Sequence, residues 1–104
     1  MIEQFFPKSV TRVVVALQPI NMRLSAPKIR SFCEDELGIV PNSATAFLFA
    51  NARHDRLLLF STDERGDQTL MKELEKGAFL MPAPEPDGAR FLIMRPAVLS
   101  RMFR

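Results

Sequence analysis

Two apolar runs, Phe47-Leu48-Phe49 and Leu57-Leu58-Leu59-Phe60, stand close together in this chain, and their spacing constrains its fold more than any other feature. Asn51 closes the first run, and Ser61, Thr62 and Asp63 close the second, so both read as strands. The five residues between them, Asn51 to Asp55, suit a hairpin loop, because a crossover between parallel strands takes a dozen or more. The two strands therefore pair antiparallel. Neither run alternates with polar residues, which predicts cover on both faces and a central place in the sheet.

Upstream, Val13 to Leu17 is a strand rich in β-branched residues, ended by Pro19, which cannot donate to a ladder and restricts Gln18 before it. Residues 1–11 read as a loosely held arm, with Phe5 and Phe6 available to dock on the body. Ser25 as N-cap, Pro27 in the first turn and Gly38 just past the end predict a helix from about Ser25 to Leu37. Ile29, Phe32, Cys33 and Leu37 follow helical spacing and face the sheet, leaving Lys28, Arg30, Glu34, Asp35 and Glu36 as a solvated face. Pro41-Asn42-Ser43 forms the loop into the hairpin.

Downstream of a turn at Asp63 to Asp67, Leu70, Met71 and Leu74 fall at helical spacing, with Gly77 where a C-terminal glycine belongs. This predicts a helix over residues 68–76. A strand also fits, since Leu70, Lys72, Leu74 and Lys76 occupy alternate positions. Pro82 to Gly88 is an exposed turn, after which Arg90 to Met94 reads as a strand pairing with Ala78 to Met81. Pro96 opens a final helix with the apolar stripe Val98, Leu99, Met102 and Phe103. The expected fold is a single small α+β domain over residues 12–104, a mainly antiparallel sheet of about four to five strands with two to three helices.

A length of 104 residues leaves room for one domain with a core that needs no staples. One cysteine, Cys33, cannot form an internal disulfide, and its apolar neighbours suggest a buried thiol in a reducing compartment, hence a cytoplasmic protein. The longest apolar run, Val13 to Leu17, is far short of a bilayer span, and Met1 to Phe6 does not read as a signal peptide. Nine phenylalanines and six methionines without tryptophan or tyrosine supply core bulk without polar handles.

Catalytic chemistry finds little support. His54, the single histidine, lies in the hairpin loop, so zinc sites of the usual cysteine and histidine types are excluded. Cys33 as a nucleophile would need His54 beside it on a helix face that points inward. Asp63, Glu64 and Asp67 form the one acidic cluster, but they occupy a turn and lack the spacing of a calcium loop. No catalytic residue, metal or cofactor is expected. Fourteen basic against twelve acidic side chains give a net charge of +2, so the distribution of charge matters more than its sum. Arg23, Lys28, Arg30, Arg53, Arg56, Arg95, Arg101 and Arg104 either converge on one surface, where they would contact phosphates, or remain scattered solvated charges.

The order of these motifs resembles the small second-open-reading-frame, TnpB-like proteins of the IS-sixty-six (IS66) class of bacterial insertion sequences. Asn21-Met22-Arg23 stands where that family carries an Asp-Met-Arg signature leading into the first helix. Phe47-Leu48-Phe49 followed by Arg53 to Leu59 is similar to its phenylalanine-rich strand, basic turn and apolar strand. Leu70 to Phe79 with Pro82, and then Pro96 to Phe103, are similar to its Lys-Arg-Leu-Glu, Gly, Phe, Trp-Pro segment and its closing leucine-rich helix. The likeness covers residues 12–103. Asn21 replaces the family's acid, Glu73 its arginine, Ser61-Thr62 its aromatic residues and Leu80-Met81 its tryptophan, which makes this a divergent member. The resemblance implies a non-enzymatic accessory protein supporting transposition by binding element DNA, the transposase, or both. On its signature and basic positions, the expected surface contacts are Arg23, Arg53, Arg56 and Lys72. The alternative is an interaction domain that dimerises through a sheet edge or the final helix and never touches nucleic acid.

Overall fold

Continuous apolar sequence in a strand is stable only where both faces are covered, and the three inner strands of the sheet meet that condition. The computed structural model describes residues 6–80 and 88–102. Its elements are β1 (Arg12–Ala16), α1 (Ala26–Asp35), β2 (Thr45–Ala50), β3 (Arg56–Asp63), β4 (Gly66–Glu73), β5 (Phe91–Met94) and α2 (Pro96–Met102). The strands form one sheet in the order β4-β3-β2-β1-β5. The β2–β3 hairpin is antiparallel as expected, with Phe47 opposite Phe60 and Phe49 opposite Leu58, and β2 is the central strand.

Two apolar layers flank this sheet. On one face Val14, Phe47, Phe49, Leu58 and Phe60 meet Ile29, Cys33 and Leu37 from α1 and its C-terminal turn. Phe49 packs edge-on against Phe32 with centroids 5.9 Å apart and lies parallel to Phe47 at 6.4 Å. On the other face Val13, Val15, Leu48, Leu57 and Leu59 lie under Leu99 of α2, with Val10 and Phe6 completing the cover. Beyond the end of α1 at Asp35, Gly38 with φ 70° lets the Ile39 N–H turn back to the Cys33 carbonyl at 3.0 Å. Cys33 is fully buried, and burial pushes its thiol up to about 12.

Three expectations require correction. Residues 68–76 are not a helix: β3 runs on to Asp63, the chain reverses through Glu64-Arg65, and β4 pairs with β3 without interruption from Gly66 to Glu73. The hairpin closes locally, and Gly66 at φ 137° allows the tight reversal. Gly77 does have a positive φ, but in a bend after the strand rather than at a helix end. Secondly, β5 pairs antiparallel with β1, Val14 opposite Ile93, and not with Ala78 to Met81; Ala78 to Leu80 carry no regular structure, and Met81 lies outside the described residues. The sheet is mainly antiparallel, as expected, with three of its four strand pairings antiparallel; β1 and β2 are parallel, which makes it mixed. The connection from Leu17 to Ala44 carries α1, as a parallel crossover requires.

The third correction concerns Arg30, which is not simply a solvated charge. Its Nη2 donates to Asp67 Oδ1 at 2.6 Å and to Thr62 Oγ1 at 3.1 Å, while Nε donates to Asp67 Oδ2 at 3.3 Å. The fork ties α1 to the β3–β4 hairpin, and it holds the Asp67 carboxyl below its usual 3.8. A depressed carboxyl stabilises the fold above its unfolded value and stops doing so as pH falls through the folded one. Both side chains are partly solvated, at 34% and 20% exposure, so about 1 kcal/mol is the expected contribution. Asp67→Asn should therefore lower urea stability by about that much at neutral pH. The difference should vanish in acid below the carboxylate range; a gap unchanged there would separate its cause from this ion pair.

Pro82 to Asp87, and the Met102 and Phe103 side chains of the expected final stripe, lie outside the described residues. Of that stripe, Leu99 is buried and Val98 is exposed.

Candidate nucleic-acid interface

The parallel pairing of β1 and β2 brings their C-terminal ends to the same end of the sheet, so the chain leaving β1 runs beside the loop leaving β2. The Ile20 N–H donates to the Ala50 carbonyl at 3.0 Å and fixes the two segments together. Just beyond, the Asn21 side-chain oxygen accepts the Arg23 N–H at 2.9 Å, a local turn that an aspartate at this position could also make.

Asn51 organises the second loop. Its Oδ1 accepts the N–H groups of Asp55 at 3.0 Å and Arg56 at 3.1 Å, and its Nδ2 donates to Asp55 Oδ1 at 2.6 Å. The Asn51 carbonyl accepts the His54 N–H at 3.0 Å, with His54 itself at φ 58°, the left-handed conformation that the tight turn imposes. The side chain of Arg53 is exposed and lies 3.8 Å from Asp55, while Arg56 is ion-paired with Glu73 across the β3–β4 ladder. Asn51, with Arg53 and Arg56 assisting, holds the Asp55 carboxyl below the usual carboxylate range. Sequence reading took Asn51 only as the end of a strand. The signal available was an Asx residue four positions before Asp55, a spacing at which amide and carboxylate can close a loop on themselves.

These two segments enclose an open depression of about 300 Å³ lined by Arg23, Arg53 and Arg56 together with Asn21, Asn51 and Ala52. Three of the four expected contact residues thus converge. Lys72 does not join them: it stands opposite Leu57, on the α2 side of the sheet, whereas Arg56 and Glu73 are on the α1 side. Guanidinium forks on an open surface suit phosphate oxygens, which they can grip with two donors each. No group of histidine, cysteine or acidic side chains among the described residues is arranged to hold a metal. Asp63 accepts the Arg65 N–H at 2.8 Å, and Asp67 is taken by Arg30, so the acids of the turn are engaged locally. Among the described residues no helix is long and apolar enough to cross a membrane.

The site is an open depression lined by three arginines on a small mixed-sheet domain. The family model for IS66 Orf2-like proteins matches residues 11–102, and the chain belongs to that family of insertion-sequence accessory proteins. No curated protein and no solved structure gives a match.

Proposed function

We propose that the protein is a non-catalytic transposition factor that holds DNA of its own element through the phosphate backbone, with Arg23, Arg53 and Arg56 as the contacts. The observation that carries this reading is the convergence of three guanidinium groups from two loops in one depression, where no carboxylate forms part of the lining. Such contacts position a protein on a duplex without reading its bases, so sequence preference would come from elsewhere, the transposase encoded by the same element being the expected protein partner.

Fluorescence anisotropy of labelled duplex, a terminal repeat and a scrambled control, titrated at two salt concentrations tests the proposal. Binding at micromolar protein should weaken steeply with salt, by a slope of about 0.9 per phosphate neutralised. Arg53→Ala with Arg56→Ala should reduce that slope by roughly two on both duplexes, whereas Lys72→Ala, on the other side of the sheet, should leave it unchanged. No binding at tens of micromolar in low salt would remove DNA from the function and direct the search to the transposase.

A further inference from the structure

Strand β4 is the least covered part of the domain. All eight of its residues are exposed, including Leu70 at 37% and Met71 at 45%, and it forms one edge of the sheet. Proteins commonly disable such an edge with a bulge, a proline, a very short strand or charged side chains. β4 has none of the first three: it contains no proline, and its register with β3 is continuous over its whole length. It does carry charges, of which Asp67 and Glu73 are already paired within the chain with Arg30 and Arg56. The opposite edge, β5, has four residues and is a poor template by comparison.

The ladder also shows which groups of β4 are unpaired. The Leu74 N–H donates to the Asp55 carbonyl opposite it, at 2.8 Å, so Leu74 is turned toward β3. Hydrogen bonding alternates along an antiparallel pair, and Asp67, Thr69, Met71 and Glu73 therefore direct their N–H and C=O groups outward. That row can be completed by another strand of the same spacing.

We propose that β4 pairs antiparallel with β4 of a second copy of this chain, about a twofold axis passing at Thr69. The length of strand overlap and the charge pattern together select the register, and the strand is complementary to a second copy of itself. A twofold axis normal to the sheet keeps α1 on the same side in both copies and sets residues of equal parity opposite each other. Centred on Leu70, the pairing overlaps seven residues of β4, 67–73, and puts Asp67 against Glu73 of the second copy twice, a like-charge confrontation that opposes pairing. Centred on Gln68 or Met71, it overlaps only five residues of β4 and leaves three of each copy unpaired. Centred on Thr69, it sets Arg65 against Glu73, Asp67 against Met71 and Gln68 against Leu70, and gives Lys72 a glycine, Gly66, as its neighbour. Over the seven β4 residues that it overlaps, 66–72, this register has no like-charge pair. At the strand ends it brings Arg65 to Glu73 twice, and Asp63, which would otherwise meet Glu75, belongs to β3. It also uses the outward-facing residues as its hydrogen-bonded positions. The product is a continuous sheet in which Leu70 and Met71 gain cover.

Three variants examine the pairing without reference to DNA. The wild-type chain should sediment at twice its 11.8 kDa mass at micromolar concentration. Thr69→Pro removes an outward N–H that the fold does not use, so it should give a monomer with unchanged circular dichroism. Thr69→Cys should be crosslinked across the axis by mild oxidation or a short bis-maleimide, and Lys72→Cys should not, because its copies would lie roughly 20 Å apart. Arg65→Glu should weaken the dimer roughly tenfold, and adding Glu73→Arg should restore it. A monomer at all concentrations, a dimer that survives Thr69→Pro, or equal crosslinking at residues 69 and 72 would overturn the proposal.

Discussion

Phe49→Ala should cost about 3–5 kcal/mol, the largest loss expected from any single side chain in the domain. Phe49 is fully buried on the central strand, where its ring meets Phe32 of α1 on its edge and Phe47 alongside. Removing it takes away transfer free energy and leaves a cavity between helix and sheet that neither rigid element can close. A domain of this size is stabilised by only about 5–15 kcal/mol, so about a fifth of the total or more would be gone. Urea unfolding should show a lower midpoint with an unchanged slope, and the thermal midpoint should fall by at least about 12 °C. A loss below about 1 kcal/mol would mean that α1 does not pack on β2 as described.

Leu99→Ala should be nearly as damaging, at about 2–5 kcal/mol, but the damage should be unevenly distributed. Leu99 is fully buried against the Val13, Val15 and Leu48 layer, while Val98 beside it is exposed. With seven residues, α2 is too short to be stable alone, since isolated helices need about 12–15 residues even to be marginal. Its order thus depends on tertiary anchoring, to which Leu99 is the one contributor buried among the described residues. Hydrogen exchange should show α2 amides of Leu99→Ala opening well below the global unfolding energy, with β1 to β3 still protected. Val98→Ala should change stability by less than about 0.5 kcal/mol. Uniform loss of protection across the chain in Leu99→Ala would show that α2 and the sheet open as one unit.

The elements that were legible in the sequence are those whose evidence is local. The β2–β3 hairpin could be read because its loop is short and its runs are unbroken, and α1 because Ser25, Pro27 and Gly38 mark its ends. β4 was misread because an edge strand exposed on both faces has no reason to alternate. Leu70 and Met71 lie on opposite faces of a strand, yet with Leu74 they reproduce a helical interval. The partner of β5 is set by the free side of β1, a long-range choice that sequence proximity to Ala78 to Met81 does not encode. The candidate site shows the same division. The arginines could be named in advance, but their convergence follows from the parallel β1–β2 pair, which places two distant loops at one end of the sheet. The length of the Leu17 to Ala44 connection, enough for a crossover, was the signal for that pair and was not used, and Lys72 was separated from the cluster by the parity of a strand taken for a helix.

Arg56 lies across the ladder from Glu73, four positions along β4 from Thr69. In a dimer paired through β4 the two arginine clusters would lie on the same side of the joined sheet, at diagonally opposite corners. With about 3.4 Å per residue and about 4.8 Å per strand, the clusters would be roughly 30 Å apart. One turn of a B-form duplex advances about 34 Å, so two phosphate-gripping corners at this distance would meet the same face of the double helix on successive turns. The edge strand would then act as a ruler, fixing the length of DNA that one dimer covers.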